Sequence, residues 1–146
     1  MTAQDASTAK VLIADDNPQI LELLEAYLEP LALRVSTATD GQATLSAVER
    51  DPPDLVLLDV MMPKRSGFEV CRTLKQDARF RDIPIILVTA LNEAGDVERG
   101  RECGADDFLS KPVNKLDIVE RVRNMLRIRQ LKQSVLEPPP REPGQD

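Results

Sequence analysis

The sequence predicts an α/β domain: a parallel sheet of five strands wound by helices on both faces. Three observations carry this expectation. Short continuous apolar runs at Val11-Leu-Ile-Ala14, Leu55-Val-Leu-Leu58 and Ile85-Ile-Leu-Val88 fit strands covered on both sides. Between these runs, apolar residues recur with a helical period. Strand-like and helix-like segments then alternate along the whole chain, the pattern of a wound parallel sheet. A chain of 146 residues holds one such domain with modest tails and buries a core without staples.

The elements follow in order. After the first strand, Asn17-Pro18 reads as an N-cap followed by a first-turn proline. Ile20, Leu23, Leu24, Tyr27, Leu28 and Leu31 then repeat at helical spacing. Arg34-Val-Ser-Thr-Ala38 is a weaker strand, expected near an edge, and so is Asp107-Phe-Leu-Ser110. Asp40-Gly41 opens a second helix running through Val48, and Ser66-Gly67 opens a third with Val70, Cys71 and Leu74 inward. The fourth, from about Ala94 to Cys103, is a poor helix, because Gly95 and Gly100 each cost about 1 kcal/mol relative to alanine. Gly104 can cap it.

The fifth helix starts at Asn114, with Asp117 in the place of a capping-box acid, and Pro138 supplies its stop. To about Leu136 it is roughly 34 Å long. Leu116, Val119, Val122 and Leu126 are expected to face inward. Ile128, Leu131 and Val135 continue the stripe among Arg127, Arg129 and Lys132. Five such units commonly adopt the flavodoxin-like strand order 2-1-3-4-5. The expected plan is a disordered tail over 1–9, the domain over 10–127, a helix extension over 128–136, and a disordered Pro-rich tail over 137–146, EPPPREPGQD.

Composition narrows the function classes. Trp is absent and only three Phe and one Tyr occur, so the core is aliphatic. A net charge of -6 opposes nonspecific nucleic-acid binding, and direct DNA binding is not expected. The absence of His removes His-based metal sites and general bases. Cys71 and Cys103 lack CxxC spacing and read as buried thiols. The polar start is not a signal peptide, and no apolar stretch is long enough to span a bilayer, so a cytoplasmic protein is expected.

In such a sheet, ligands bind beyond the carboxyl ends of the strands. Four strands end there in a reactive group: the first in Asp15 and Asp16, the third in Asp59, the fourth in Thr89, and the fifth just before Lys111. Each alone reads as turn chemistry or a solvated strand end. Together they form a compatible set. Three carboxylates at one point need a cation, and oxygen donors without His or nearby Cys select a hard ion such as Mg²⁺. A carboxylate, a hard cation, a lysine and a hydroxyl make a phosphoryl-transfer site, which works by positioning and charge neutralisation. Asp59, central in the strand order, is the natural nucleophile.

These residues resemble the receiver domains of bacterial two-component response regulators, single-domain chemotaxis regulators among them. The resemblance covers Lys10 to about Arg127. It is carried by VLIADDNP at 11–18, DLVLLDVMMPKRSGFEVCRTLK at 54–75, PIILVTA at 84–90 and GADDFLSKP at 104–112. It implies that Asp59 is the phosphoacceptor. Mg²⁺ would be held by Asp16 directly, by Asp15 through water, by Asp59 and by the backbone carbonyl of Met61. Thr89 would be the switch hydroxyl, Phe108 the switch aromatic, and Lys111 the lysine that pairs with the phosphoryl group before a cis peptide to Pro112.

The implied partners are a sensor histidine kinase or a histidine phosphotransfer protein. A separate output protein, or onward transfer in a relay, is expected because only a helix extension and a tail follow the receiver-like part. The face around the fourth helix, fifth strand and fifth helix would change on phosphorylation. The extension would pair with its copy in a second chain or dock on the output protein. The same resemblance implies that Met61 and Leu91 would flank the path of a hydrolytic water; both are apolar, so slow loss of the phosphoryl group is expected. The competing readings are a small Mg²⁺-dependent phosphatase with an aspartyl-phosphate intermediate, and a receiver that binds partners without phosphorylation. Asp15-Asp16-Asn17 in place of a DxD motif argues against the first, and the complete acid, Thr and Lys set against the second.

Overall fold

The computed structural model describes residues 8–90 and 94–136, with the backbone alone for 94–97 and 134–136. The expected tails therefore fall largely outside the described residues. Among the described residues, five strands, β1 (Lys10–Ala14), β2 (Arg34–Ala38), β3 (Leu55–Asp59), β4 (Ile85–Thr89) and β5 (Asp107–Ser110), alternate with five α-helices. These are α1 (Pro18–Leu28), α2 (Gly41–Arg50), α3 (Gly67–Gln76), α4 (Ala94–Glu102) and α5 (Lys115–Leu136). All strand pairs are parallel and the order is β2-β1-β3-β4-β5, as the sequence predicts.

The continuous apolar runs belong to the three central strands, which are buried on both faces. Val11, Ile13, Leu55, Leu57, Ile86 and Val88 point into one core, against Leu24 and Leu28 of α1 and Ile118 and Val122 of α5. Leu12, Ala14, Val56, Leu58, Ile85 and Leu87 point into the other, against Val48 of α2 and Val70, Cys71 and Leu74 of α3. A strand with no polar face shows no alternation, which is why these runs are unbroken. The weaker strands β2 and β5 are indeed the edges.

Helix starts follow the caps. Asn17 Oδ1 accepts from the Gln19 amide at 2.9 Å, and Asp40 Oδ1 from the Ala43 amide at 2.7 Å. Ser66 Oγ accepts from the Glu69 amide at 3.3 Å, and Asn114 Oδ1 from the Asp117 amide at 3.1 Å. Each satisfies a backbone donor left over in a first turn. The Asp117 carboxylate turns instead to Arg121 Nε, one helical turn on, at 2.8 Å. Gly104, at φ +91°, ends α4 in the left-handed region, where a side chain is disfavoured.

One inward assignment, that of Leu116, is corrected, and in α1 the buried side is narrower than the helical repeat. In α1 the buried residues are Leu21, Leu24 and Leu28, while Leu23 is 41% exposed. In α5, Ile118, Val119, Val122 and Leu126 are buried, while Leu116 is 68% exposed. Apolar spacing defines a stripe, but the phase of the stripe is set by which side meets the sheet, and both leucines lie off it. Past residue 127, α5 is still held by the domain. Arg129 Nε stands 3.4 Å from Asp54 Oδ1, and its Nη1 donates to the Asp82 carbonyl at 3.0 Å. Ile128 and Leu131 lie exposed on α5, and the Val135 side chain lies outside the described residues.

Candidate functional site

Strand order brings the strand-end residues to one place. β3 is central, so Asp59 stands between the acidic pair after β1 and Thr89 at the end of β4, with Lys111 beyond β5. Lys111 reaches back over β4. Its Nζ lies 3.2 Å from Asp59 Oδ1 and 3.1 Å from Asp15 Oδ2. Its backbone amide donates to the Thr89 carbonyl at 2.9 Å, and the Lys111–Pro112 bond is cis.

Asp15, Asp16 and Asp59 each place a carboxylate oxygen within 4.8 Å of the other two. The three differ in setting. Asp15 and Asp59 are buried and Asp16 is exposed. Asp15 Oδ1 accepts from the Asn17 amide at 2.9 Å, which fixes its rotamer while leaving Oδ2 to Lys111. Thr89 is buried beside them.

Burial pushes the Asp59 carboxyl above its ordinary value and the neighbouring charge of Asp15 adds to this; Lys111 and the Met61 amide offset part of it. Burial alone would lower the Lys111 ammonium, but the hydrogen bond to Asp15 and the charges of Asp59 and Asp15 raise it. One lysine thus neutralises only part of the charge of three acids. The converging oxygens and the residual negative charge fit a hard divalent cation, and no His or Cys stands among the donors.

The loop after β3 places Met61 with its side chain 67% exposed and its amide on Asp59. Leu91 lies outside the described residues. Phe108, on β5 opposite Leu87 of β4, is partly buried in the core face shared with α3 and α4. Sequence reasoning misses two residues that shape this region. Gly67 reads in the sequence only as a helix opener, yet its α-carbon lies so close to the backbone of Asp59 that no Cβ fits between them. Gly100 reads only as a helix weakener, yet it lies directly against the Phe108 ring. Their one signal in the sequence is glycine at a helical position without a turn to require it.

An α/β sheet with buried acids, a hydroxyl and a lysine gathered at the carboxyl ends of its strands defines a class of phosphoacceptor domains. Residues 11–123 match the response regulator receiver domain family, and this chain belongs to it. Its role is accordingly that of a two-component signalling switch. It is 47% identical over 122 residues to the response regulator PleD of Caulobacter vibrioides, covering 84% of this chain and 27% of that protein. The chain thus spans about a quarter of that relative. Among solved structures, it is 35% identical to the receiver domain of a signal transduction histidine kinase from Syntrophus aciditrophicus. The TM-score is 0.78, and the match covers 82% of this chain and 91% of that one. A CheY-like receiver domain protein from Methanospirillum hungatei matches with TM-score 0.80 at 25% identity, over 86% of this chain and 98% of that one. Among the described residues, no helix is long and apolar enough to cross a membrane.

Proposed function

We propose that Asp59 accepts a phosphoryl group from the phosphohistidine of a sensor kinase or phosphotransfer protein, and that the phosphorylated domain changes what it binds. The observation that carries this is the Lys111 ammonium set between Asp59 and Asp15 at the ends of adjacent strands. An Asp59 oxygen attacks phosphorus, the donor's P–N bond breaks, and the leaving imidazole takes up a proton. Lys111 exchanges a carboxylate partner for a phosphoryl oxygen, and the Thr89 hydroxyl donates to another. Asp15, Asp16, Asp59 and the Met61 carbonyl would hold Mg²⁺, which would supply positive charge to offset that of the phosphoryl oxygens. Phe108 then moves into the space that Thr89 leaves. A separate output protein, or onward transfer of the phosphoryl group in a relay, would receive the signal.

Acetyl phosphate with Mg²⁺ should yield one hydroxylamine-sensitive phosphoryl group per chain, mapping to Asp59. Lys111→Ala should fold normally and lose phosphorylation-dependent partner binding. Labelling at any other residue, or full partner response in Lys111→Ala, would overturn the assignment.

Lifetime follows from the same loop. The Met61 side chain, exposed beside Asp59, offers no group to orient a hydrolytic water. The acyl phosphate should last on the order of minutes or longer at neutral pH, without a phosphatase. Decay within seconds, followed by loss of radiolabel, would contradict this.

The exposed Ile128 and Leu131 on α5 are proposed to pair with a second copy of the chain. Sedimentation of the full chain with and without beryllofluoride should show a phosphoryl-dependent dimer that Leu131→Glu weakens at least tenfold, about 1.4 kcal/mol. A monomer at high concentration in both states excludes self-pairing.

A further inference from the structure

We propose that Gly100 is a positioning residue for the switch: its missing side chain makes the notch in α4 in which the Phe108 ring rests. The proposal rests on the reading of Phe108 as the switch aromatic. A Cβ built on Gly100 would overlap Cε1 and Cζ of the Phe108 ring and stand 3.3 Å from Leu87 Cδ1. No backbone atom is among these neighbours. What a side chain at 100 would displace first is the tip of a ring that turns about its own χ1, and the sheet beneath need not move. The position therefore controls where the ring sits.

The notch is held in place from the other side. The Gly100 carbonyl accepts from the Cys103 thiol at 3.0 Å and from the Ala105 amide at 3.2 Å. The Cys103 carbonyl in turn accepts from the buried Cys71 thiol of α3 at 3.4 Å. The C-terminal end of α4 is thus tied to α3, and the two thiols serve as donors to carbonyls that the helix end leaves over. Phe108 is joined to the site through the sheet: Leu87 pairs with Phe108, and Thr89, two residues on, pairs with Ser110 next to Lys111. A ring seated on a fixed notch has a defined resting position, and leaving that position is a discrete change. Glycine elsewhere in a helix is a cost; here it creates the space.

A double-mutant cycle on the full chain separates this from simple helix chemistry. In a helix, alanine is favoured over glycine. With Phe108→Ala in the background, Gly100→Ala should raise the unfolding midpoint. In the wild-type background the same change should lower it, because the ring must leave its seat. An equal rise in both backgrounds would overturn the seat. The second readout is the fluorine spectrum of protein made with fluorophenylalanine, which has three signals, one lost in Phe108→Ala. In wild type the Phe108 signal should shift on adding beryllofluoride and Mg²⁺. In Gly100→Ala it should be displaced before any addition, with acetyl phosphate labelling of Asp59 retained. If wild type shifts and Gly100→Ala matches resting wild type, Gly100 has no positioning role and Phe108 keeps its own. If the midpoints reverse sign but the wild-type signal ignores beryllofluoride, the seat is packing alone, and the switch role of Phe108 falls with the proposal.

Discussion

In metal-free buffer at neutral pH, Asp59→Asn should unfold at a higher temperature than the wild-type chain while losing all labelling by acetyl phosphate. Asp59 is 4% exposed, and burial followed by the charge of Asp15 holds its carboxyl above the ordinary value of 3.8. The ionised form is therefore penalised in the folded state. That penalty is absent below the ordinary value, grows as pH rises through the raised one, and is complete above it. The advantage of the asparagine variant should be largest at neutral pH and should close as pH falls towards 3.8. Lys111 keeps Asp15 as a partner in the variant, so the substitution leaves no orphaned cation.

Millimolar Mg²⁺ should reverse the order, because only the wild type keeps all three carboxylates. Binding at a hundred times the dissociation constant adds about 2.7 kcal/mol to the folded state. Thermal melts of both proteins at several pH values, each with and without Mg²⁺, read the whole pattern. A variant less stable than wild type in metal-free neutral buffer would show that the Lys111 contact outweighs burial.

The second large effect is expected at Gly67. A Cβ there would stand 2.8 Å from Val60 Cα and 2.9 Å from the Asp59 carbonyl carbon, and closer still to that carbonyl oxygen. The obstruction is the backbone of the strand end that carries Asp59. The Gly67 amide also donates to the Val60 carbonyl at 2.8 Å, which pins α3 to that strand. Gly67→Ala must push α3 away from the sheet, at a cost of about 3 kcal/mol, and must shift Asp59 with it. The neighbouring Ser66→Ala removes only a capping bond and should cost about 1 kcal/mol, leaving labelling intact. Urea titrations and acetyl phosphate labelling of the two variants side by side test this. A Gly67→Ala protein as stable and as readily labelled as Ser66→Ala would mean that α3 yields without disturbing the site.

Much of the architecture is legible in the amino-acid sequence, for identifiable reasons. A strand buried on both faces must be apolar at every position, so Leu55–Leu58 and Ile85–Val88 declare themselves. Leftover amides in a first turn demand short polar side chains, so Asn17, Asp40, Ser66 and Asn114 mark four helix starts. The gathering of acids, hydroxyl and lysine is legible because ligands of such sheets bind at strand ends and these ends carry compatible side chains.

Other features are settled only by tertiary packing. Periodicity measures the spacing of a stripe but not its phase, so Leu23 and Leu116 fit the inward pattern and yet lie exposed. Asp15 and Asp16 are neighbours of one type in the sequence. The fold buries the first beside Lys111, 96 positions away, and leaves the second in solvent. Gly67 and Gly100 look like ordinary helix glycines until Asp59 and Phe108 are brought against them. The sequence by itself therefore determined the elements, their order and the chemistry at the strand ends, because each depends on a residue and its near neighbours. Which acid is buried, where the lysine reaches and which glycines stand against another part of the chain were decided by the fold, because each depends on a distance between residues far apart in the chain.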